Sequence, residues 1–324
     1  MKRTKGEYGG FLPLEIPEQK GHLYSKYRNI LSFNTIKAAI PILRRYLNID
    51  TVHVPYYLCP NVIKELKSTF PNVVFFNIDE NLLPILDDAD NKLIYLVNYF
   101  GVMDKKIKKY IKNNPKSVFI LDNAHSFYCK PILADNVFNL YSCKKFFGVP
   151  DGGFLITKDF IEKEWPATYS DEYSHYLVKS LEQGTNSVYL EKKEVDDRIN
   201  RNYTGISVFS KKLLCGIDYD WIKNRRLTNF KVLDEAFSGI NKIKCEKTSI
   251  PYLYPLNFGV NIKKELVSNK IYVPTLWAQC LVDDKNPFEK YLAENTILLP
   301  LDQRYDVNDM FYIVQVIKET VDYE

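Results

Sequence analysis

Ser117-Val-Phe-Ile-Leu-Asp-Asn-Ala-His125 reads as a buried strand that ends on an acid, because Val118 to Leu121 are apolar without a break and Asp122 closes the run. A strand with no polar alternation is covered on both faces, which is the pattern of a parallel sheet packed between helices. Working upstream, Thr51-Val-His-Val-Pro55 predicts a strand, Pro60 to Ser68 a helix and Val73-Val-Phe-Phe-Asn-Ile78 a strand. Lys92-Leu-Ile-Tyr-Leu-Val-Asn-Tyr-Phe100 predicts a buried strand ending at Gly101, and Lys105 to Asn113 a helix. Strand and helix in alternation predict an α/β fold, a mostly parallel sheet with helices on both faces. Ligands gather at the carboxyl ends of such strands. Tyr57, Asn98 to Gly101 and Asp122 to His125 fall there.

The chain has 324 residues, enough for one large domain and a smaller one. Thr35 to Leu47 has helical spacing, with Pro41 inside it as a possible kink. Phe160 to Glu194 is rich in Tyr, Ser and Glu and reads as less regular, a candidate substrate-facing excursion. Helices are predicted from Ile206 to Cys215 and Tyr219 to Phe237, strands over Tyr252 to Val260 and Ile297 to Leu301, and a final helix from Val307 to Thr320. The division expected is a large domain over 1–225 and a small α+β domain over 226–324.

Lysines and acids are interspersed, and the net charge is +4, so charge makes no case for nucleic acid. The run Lys105-Lys106-Ile107-Lys108-Lys109 reads as a solvated helix face. The six cysteines form no C-x-x-C pair and no cluster with histidine, which argues against zinc and against a disulfide scaffold. No apolar signal core follows Met1-Lys2-Arg3, and no run reaches membrane-spanning length. The expectation is a soluble, cytoplasmic protein with no metal, nucleic-acid or membrane partner.

An acid ending a buried strand is a poor core residue, since an unpaired buried carboxylate is costly. Downstream comes Asn139-Leu-Tyr-Ser-Cys-Lys-Lys-Phe-Phe-Gly-Val-Pro-Asp-Gly-Gly153, a short strand running into a lysine turn, about two dozen residues after Asp122, and then a glycine bend. A lysine beside a strand-end carboxylate suits pyridoxal 5′-phosphate, whose aldehyde condenses with an amine while an acid keeps its ring nitrogen protonated. The chain resembles the DegT/DnrJ/EryC1/StrS sugar aminotransferases, which have the fold of the type I pyridoxal-phosphate enzymes. Three elements carry the likeness: Leu121 to His125, Cys143-Lys144-Lys145, and Pro150 to Gly153. Gly152 and Gly153 lie seven and eight residues after Lys145, the family spacing, which selects Lys145 over Lys144. The likeness extends to Thr35-Ile36-Lys37-Ala38-Ala39, to Pro55-Tyr56-Tyr57, to Asn98 to Gly101 and to Asn202-Tyr203. Ile36 stands where the family has Gly, and Thr204 where it has Arg.

The resemblance implies that Lys145 forms the Schiff base and shuttles a proton, that Asp122 pairs with the ring nitrogen, and that His125 lies against the ring or near its phenolic oxygen. Ile36, Lys37 and Ser142 would hold the phosphate at a helix N-terminus, with Tyr57 nearby and Asn202 reaching it from a neighbouring subunit. For substrate, Arg304 is a candidate carboxylate clamp and Trp277 a candidate stacking platform; a surface ion pair and a packed core aromatic are the competing readings. Retention of Lys145 sets the chain apart from the family's dehydratases, which carry His there. The function implied is transfer of an amino group, from glutamate, to a nucleotide-linked keto-sugar in surface-polysaccharide or deoxyaminosugar synthesis, by a homodimer. A different type I reaction (lyase or amino-acid aminotransferase) and a non-catalytic protein of the same fold are the alternatives.

Overall fold

The computed structural model describes residues 14–17, 21–161, 165 and 168–322. Its first element is β1 (Ile30–Phe33), followed by a 3-10 turn over Ile36–Ala38 that runs into α1 (Ala39–Leu47). Pro41 sits in the first turn of α1, where a missing N–H removes no intrahelical bond. Then come β2 (Thr51–Pro55), α2 (Pro60–Thr69), β3 (Asn72–Phe76), β4 (Leu93–Val97), α3 (Asp104–Asn113) and β5 (Val118–Asp122). The lysine-rich α3 buries Ile107 and Ile111, one turn apart, and turns its lysines outward. β6 (Val137–Ser142) and β7 (Gly153–Ile156) bracket the lysine turn.

These strands form one seven-stranded sheet in the order β1-β7-β6-β5-β4-β2-β3. β7 pairs antiparallel with both neighbours, and every other pairing is parallel, so six strands share one direction. All residues of β4 and β7 are buried, as a doubly covered sheet requires, whereas the edge strand β3 alternates with solvent. β4 stops at Val97, short of the expected Phe100. Phe100 and Gly101 both have positive φ (58° and 78°), which turns the chain out of the sheet. β1 was not expected: it is four residues long, and its partner β7 lies far away in sequence.

The stretch read as irregular is helical. α4 (Asp171–Gln183) and α5 (Tyr189–Ile199) fill most of it, joined by a short 3-10 turn. Their apolar faces are thin: α4 buries Tyr176, and α5 buries Val195 and Ile199. Periodicity therefore gave little signal, although the acidic start of α4 and Gly184 at its end mark the boundaries. α6 (Val208–Cys215) and α7 (Tyr219–Phe237) lie where predicted. Residues 225 and 226 fall inside α7, which carries Ile222 in the core beneath the lysine turn and Phe230, Leu233 and Phe237 in a second core. That second core contains β8 (Tyr254–Leu256), α8 (Lys263–Ser268), β9 (Ile297–Leu299) and α10 (Val307–Asp322), while α9 (Pro287–Asn295) leans on the main core. No helix among the described residues is long and apolar enough to cross a membrane.

Candidate active site

Asp122 ends β5 at the carboxyl edge of the sheet and is 6% exposed. Its Oδ1 accepts from the Ala124 N–H and its Oδ2 from the Tyr95 hydroxyl, each at 2.8 Å. Burial pushes this carboxyl above its ordinary value; the Ala124 and Tyr95 donors and the charge of Lys145 pull the other way. A carboxylate accepts about four hydrogen bonds, so Asp122 keeps capacity for a cation, and a buried acid gains most from one.

The lysine turn separates its two lysines. Lys144 pairs with Asp196 of α5, burial holding its ammonium below the ordinary value while Asp196 opposes that shift. Lys145, half-buried, instead places Nζ 4.9 Å from the centre of the Tyr252 ring, and its charge acts on both Asp122 and His125. The turn is stiff: the Phe146 and Phe147 N–H groups donate to the Cys143 carbonyl at 3.0 Å, and both rings are buried among Phe127, Tyr141 and Tyr24. Asp151 is fully engaged, accepting from the Ser207 N–H at 2.8 Å, the Ser207 hydroxyl at 2.7 Å and the Ser210 hydroxyl, and so fastens α6 under the turn.

His125 is buried, and its Nδ1 accepts from the Phe100 N–H at 3.3 Å. Burial, then the charge of Lys145, holds it well below its ordinary pKa. The ring is therefore neutral, and with Nδ1 accepting, the tautomer assigned carries its proton on Nε2. Asn98 Nδ2 donates to Asp104 Oδ1 at 2.8 Å and Asn123 Oδ1 at 3.1 Å, bracing the turn that presents His125. Three aromatic rings surround His125 in near-parallel orientation: Tyr252 at 5.5 Å, Trp277 at 5.8 Å and Phe100 at 6.3 Å.

Arg226 holds this arrangement from α7. It is 1% exposed, donates to the Pro251 and Tyr252 carbonyls at 3.1 and 3.2 Å and to Gln303 Oε1 at 3.1 Å, and lies over the Phe146 ring at 4.6 Å. Burial lowers its pKa to about 10. Arg226→Met would leave the buried Pro251 carbonyl and the half-buried Tyr252 carbonyl without these donors, and we expect a loss of roughly 2–4 kcal/mol in chemical denaturation. A change within about 0.5 kcal/mol would contradict the tether.

At the other end of the site, Thr35 makes no side-chain cap at the 3-10 turn that leads into α1, so the first N–H groups receive no capping oxygen from it. Lys37 is 7% exposed, and its ammonium makes no hydrogen bond or ion pair among the described residues; burial lowers its pKa. An uncapped helix start and a buried, unpaired ammonium suit an anion. Ile36 packs on Gly153, where an added Cβ would come within 2.7 Å of the Ile36 nitrogen, so only glycine allows this approach. Ser142 pairs in register with Gly153 at the end of β6. The Asn202 carbonyl accepts from Asn34 Nδ2 at 2.6 Å within the same chain, and its side chain is exposed. Tyr57 is buried, its carbonyl accepting from the Tyr99 hydroxyl at 2.7 Å.

Of the substrate candidates, Trp277 lies beside the cluster, its ring edge-on to Tyr57 at 4.2 Å, with φ of 55°, unusual for a bulky residue. Arg304 forms a two-point ion pair with Asp302 at 2.7 and 2.8 Å and is more than half exposed. Sequence reasoning missed Tyr95, Tyr252 and Arg226. Tyr95 and Arg226 sat in runs read only as strand and helix. A hydroxyl in a fully buried strand and a cation on a core-facing helix position were the available signals.

No protein-family model matches the sequence, and no curated protein does. Solved structures match in shape. A DegT/DnrJ/EryC1/StrS aminotransferase from Brucella abortus shares 14% identity over 92% of this chain and 87% of its own, with a TM-score of 0.60. The sugar aminotransferase CalS13 from Micromonospora echinospora shares 14% over 91% and 89%, with a TM-score of 0.61. The E. coli GDP-4-keto-6-deoxy-D-mannose-3-dehydratase, solved with hydrated PLP bound, shares 16% over 90% and 87%, with a TM-score of 0.57. The fold is thus the type I fold of pyridoxal-phosphate-dependent transferases, as the motifs implied. Amino-group transfer and sugar dehydration both occur on it, so the site must decide the chemistry.

Proposed function

We propose that this chain is a pyridoxal 5′-phosphate-dependent aminotransferase that moves an amino group from glutamate to a nucleotide-linked keto-sugar. One observation carries the reading: of two adjacent lysines, Asp196 ties up Lys144, while Lys145 has no ion pair among the described residues and sits over the Tyr252 ring, close enough for its charge to act on Asp122 and His125. When bound, the cofactor supplies an aldehyde for the Lys145 amine and a ring that draws electrons from the substrate carbon. Asp122 would offer a desolvated carboxylate to the ring nitrogen and hold a proton there. His125, neutral with its proton on Nε2, would lie against the ring or near its phenolic oxygen. Lys37 and the amides of Ile36 and Lys37 would hold the phosphate, with Ser142 and Tyr57 nearby and the exposed Asn202 reaching toward it from a second subunit. Lys145 moves a proton to and from the substrate carbon, which calls for its amine to be freed from bulk water.

The nucleotide handle is supported by an open cleft of about 540 Å³ between α2 and the segment Gln279 to Asp283, with the Asp283 carboxylate on its lining. Its lining includes the stacked Tyr56 and Phe75 rings, 5.0 Å apart, and Lys64 and Lys67 as cations for phosphate. Arg304 and Trp277 remain candidates for substrate contact, and a homodimer in the cytoplasm, working in surface-polysaccharide or deoxyaminosugar synthesis, is the assembly and setting proposed. Glutamate added to the cofactor-loaded protein should bleach its visible absorption, and a nucleotide-linked keto-sugar should restore it. An unchanged spectrum with glutamate and with other amino acids alike would sink the reading.

A further inference from the structure

We propose that Tyr95 is a positioning residue for the cofactor, its hydroxyl holding Asp122 ionised and aimed at the ring nitrogen. The inference rests on the function proposed above and adds a residue to its site. In the β4–β5 register Tyr95 lies opposite Ile120 and Val97 opposite Asp122. Side chains alternate along a strand, so Tyr95, Ile120 and Asp122 share one face, with Tyr95 and Asp122 as diagonal neighbours within reach of an aromatic side chain. The hydroxyl meets Oδ2 at 2.8 Å while the Ala124 N–H holds Oδ1, which clamps both oxygens and sets the plane of the carboxylate.

Tyr95 is otherwise out of place. Its neighbours in β4 are Leu93, Ile94, Leu96 and Val97, all buried, and a hydroxyl in such a run is costly unless paired. Burial, then the facing carboxylate, raises its pKa well above the ordinary value, so the phenol stays protonated and donates. The other titratable groups around the pair are Lys145 from the loop after β6, Tyr99 from the turn after β4, and Cys59 ahead of α2. Among the described residues, Lys145 alone carries a charge that favours the ionised acid. With the Tyr95 hydroxyl removed, burial of Asp122 is less well opposed. As pH falls, Asp122 then takes up its proton at a higher pH, and a neutral acid no longer pairs with a ring cation.

The test is pyridoxal 5′-phosphate binding to apo-protein as a function of pH, read by visible absorption, for wild type, Y95F, D122N and the double variant. We expect Y95F to weaken binding on the order of tenfold at neutral pH and to move the acid limb of binding upward. In the D122N background, where the acceptor cannot ionise, Y95F should change binding less than twofold. An unmoved limb, or an equal loss in both backgrounds, overturns the proposal. Phe keeps the ring, and thermal melting monitors the fold; Tyr95→Met provides a second variant read the same way. If wild type binds none of the cofactor, the proposed function itself fails, an outcome distinct from binding that ignores Tyr95.

Discussion

Lys145→Ala is expected to lower amino-group transfer by on the order of a thousandfold or more and to abolish the visible absorption of the lysine-bound cofactor. No neighbour can take over. The Lys144 ammonium is committed to Asp196 and half-buried, and reaching the site would require breaking that pair. Lys37 is buried near the site, but it stands at the helix start, where the phosphate is proposed to sit. The paired control is Lys144→Ala, which should keep the visible band and lose about 1–3 kcal/mol of stability, because Asp196 keeps only Lys192. Both variants should be compared by spectrum and by the glutamate half-reaction. Transfer within tenfold of wild type in Lys145→Ala, or loss of the band in Lys144→Ala instead, would reverse the assignment.

Gly101→Ala should cost roughly 3 kcal/mol or more and abolish binding at the proposed cofactor site. Gly101 has a φ of 78°, which L-residues rarely adopt, and an added Cβ would overlap the His125 carbonyl oxygen. It would also stand 2.9 Å from the His125 carbonyl carbon and 3.2 Å from the Pro251 Cα. These are backbone atoms that cannot rotate away. The His125 carbonyl already accepts from the Tyr252 N–H at 3.1 Å, so relief means moving the turn that carries His125 and Asp122. Gly148→Ala is the control, since nothing lies within 4 Å of the added atom; it should change stability by less than about 0.5 kcal/mol. Equal denaturation midpoints for the two variants would mean that the turn has more freedom than its packing suggests.

Much of the site was legible because its chemistry is local in sequence. An acid closing an apolar strand, a lysine turn and a glycine pair at fixed distance from one lysine are visible without coordinates. The parallel sheet was legible for a similar reason, since continuous apolar runs alternating with helical spacing admit few other folds. The misses have physical causes too. β1 is held by pairing with β7, and four residues alone carry no periodicity. α4 and α5 bury few apolar side chains, so their pattern resembled irregular chain.

Taken alone, the residues determined the fold class and the strand-end acid, because backbone periodicity is a property of neighbouring residues; the preference for Lys145 over Lys144 came from the family spacing and belongs to the proposed function. Only the tertiary structure decided what each group touches. It put Tyr95 on the Asp122 carboxylate through the register of β4 and β5, tied Lys144 to Asp196, 52 residues on, and set Tyr252 and Arg226 around Lys145 and His125. Burial, hydrogen bonding and charge act through space, and those distances exist only once the chain has folded.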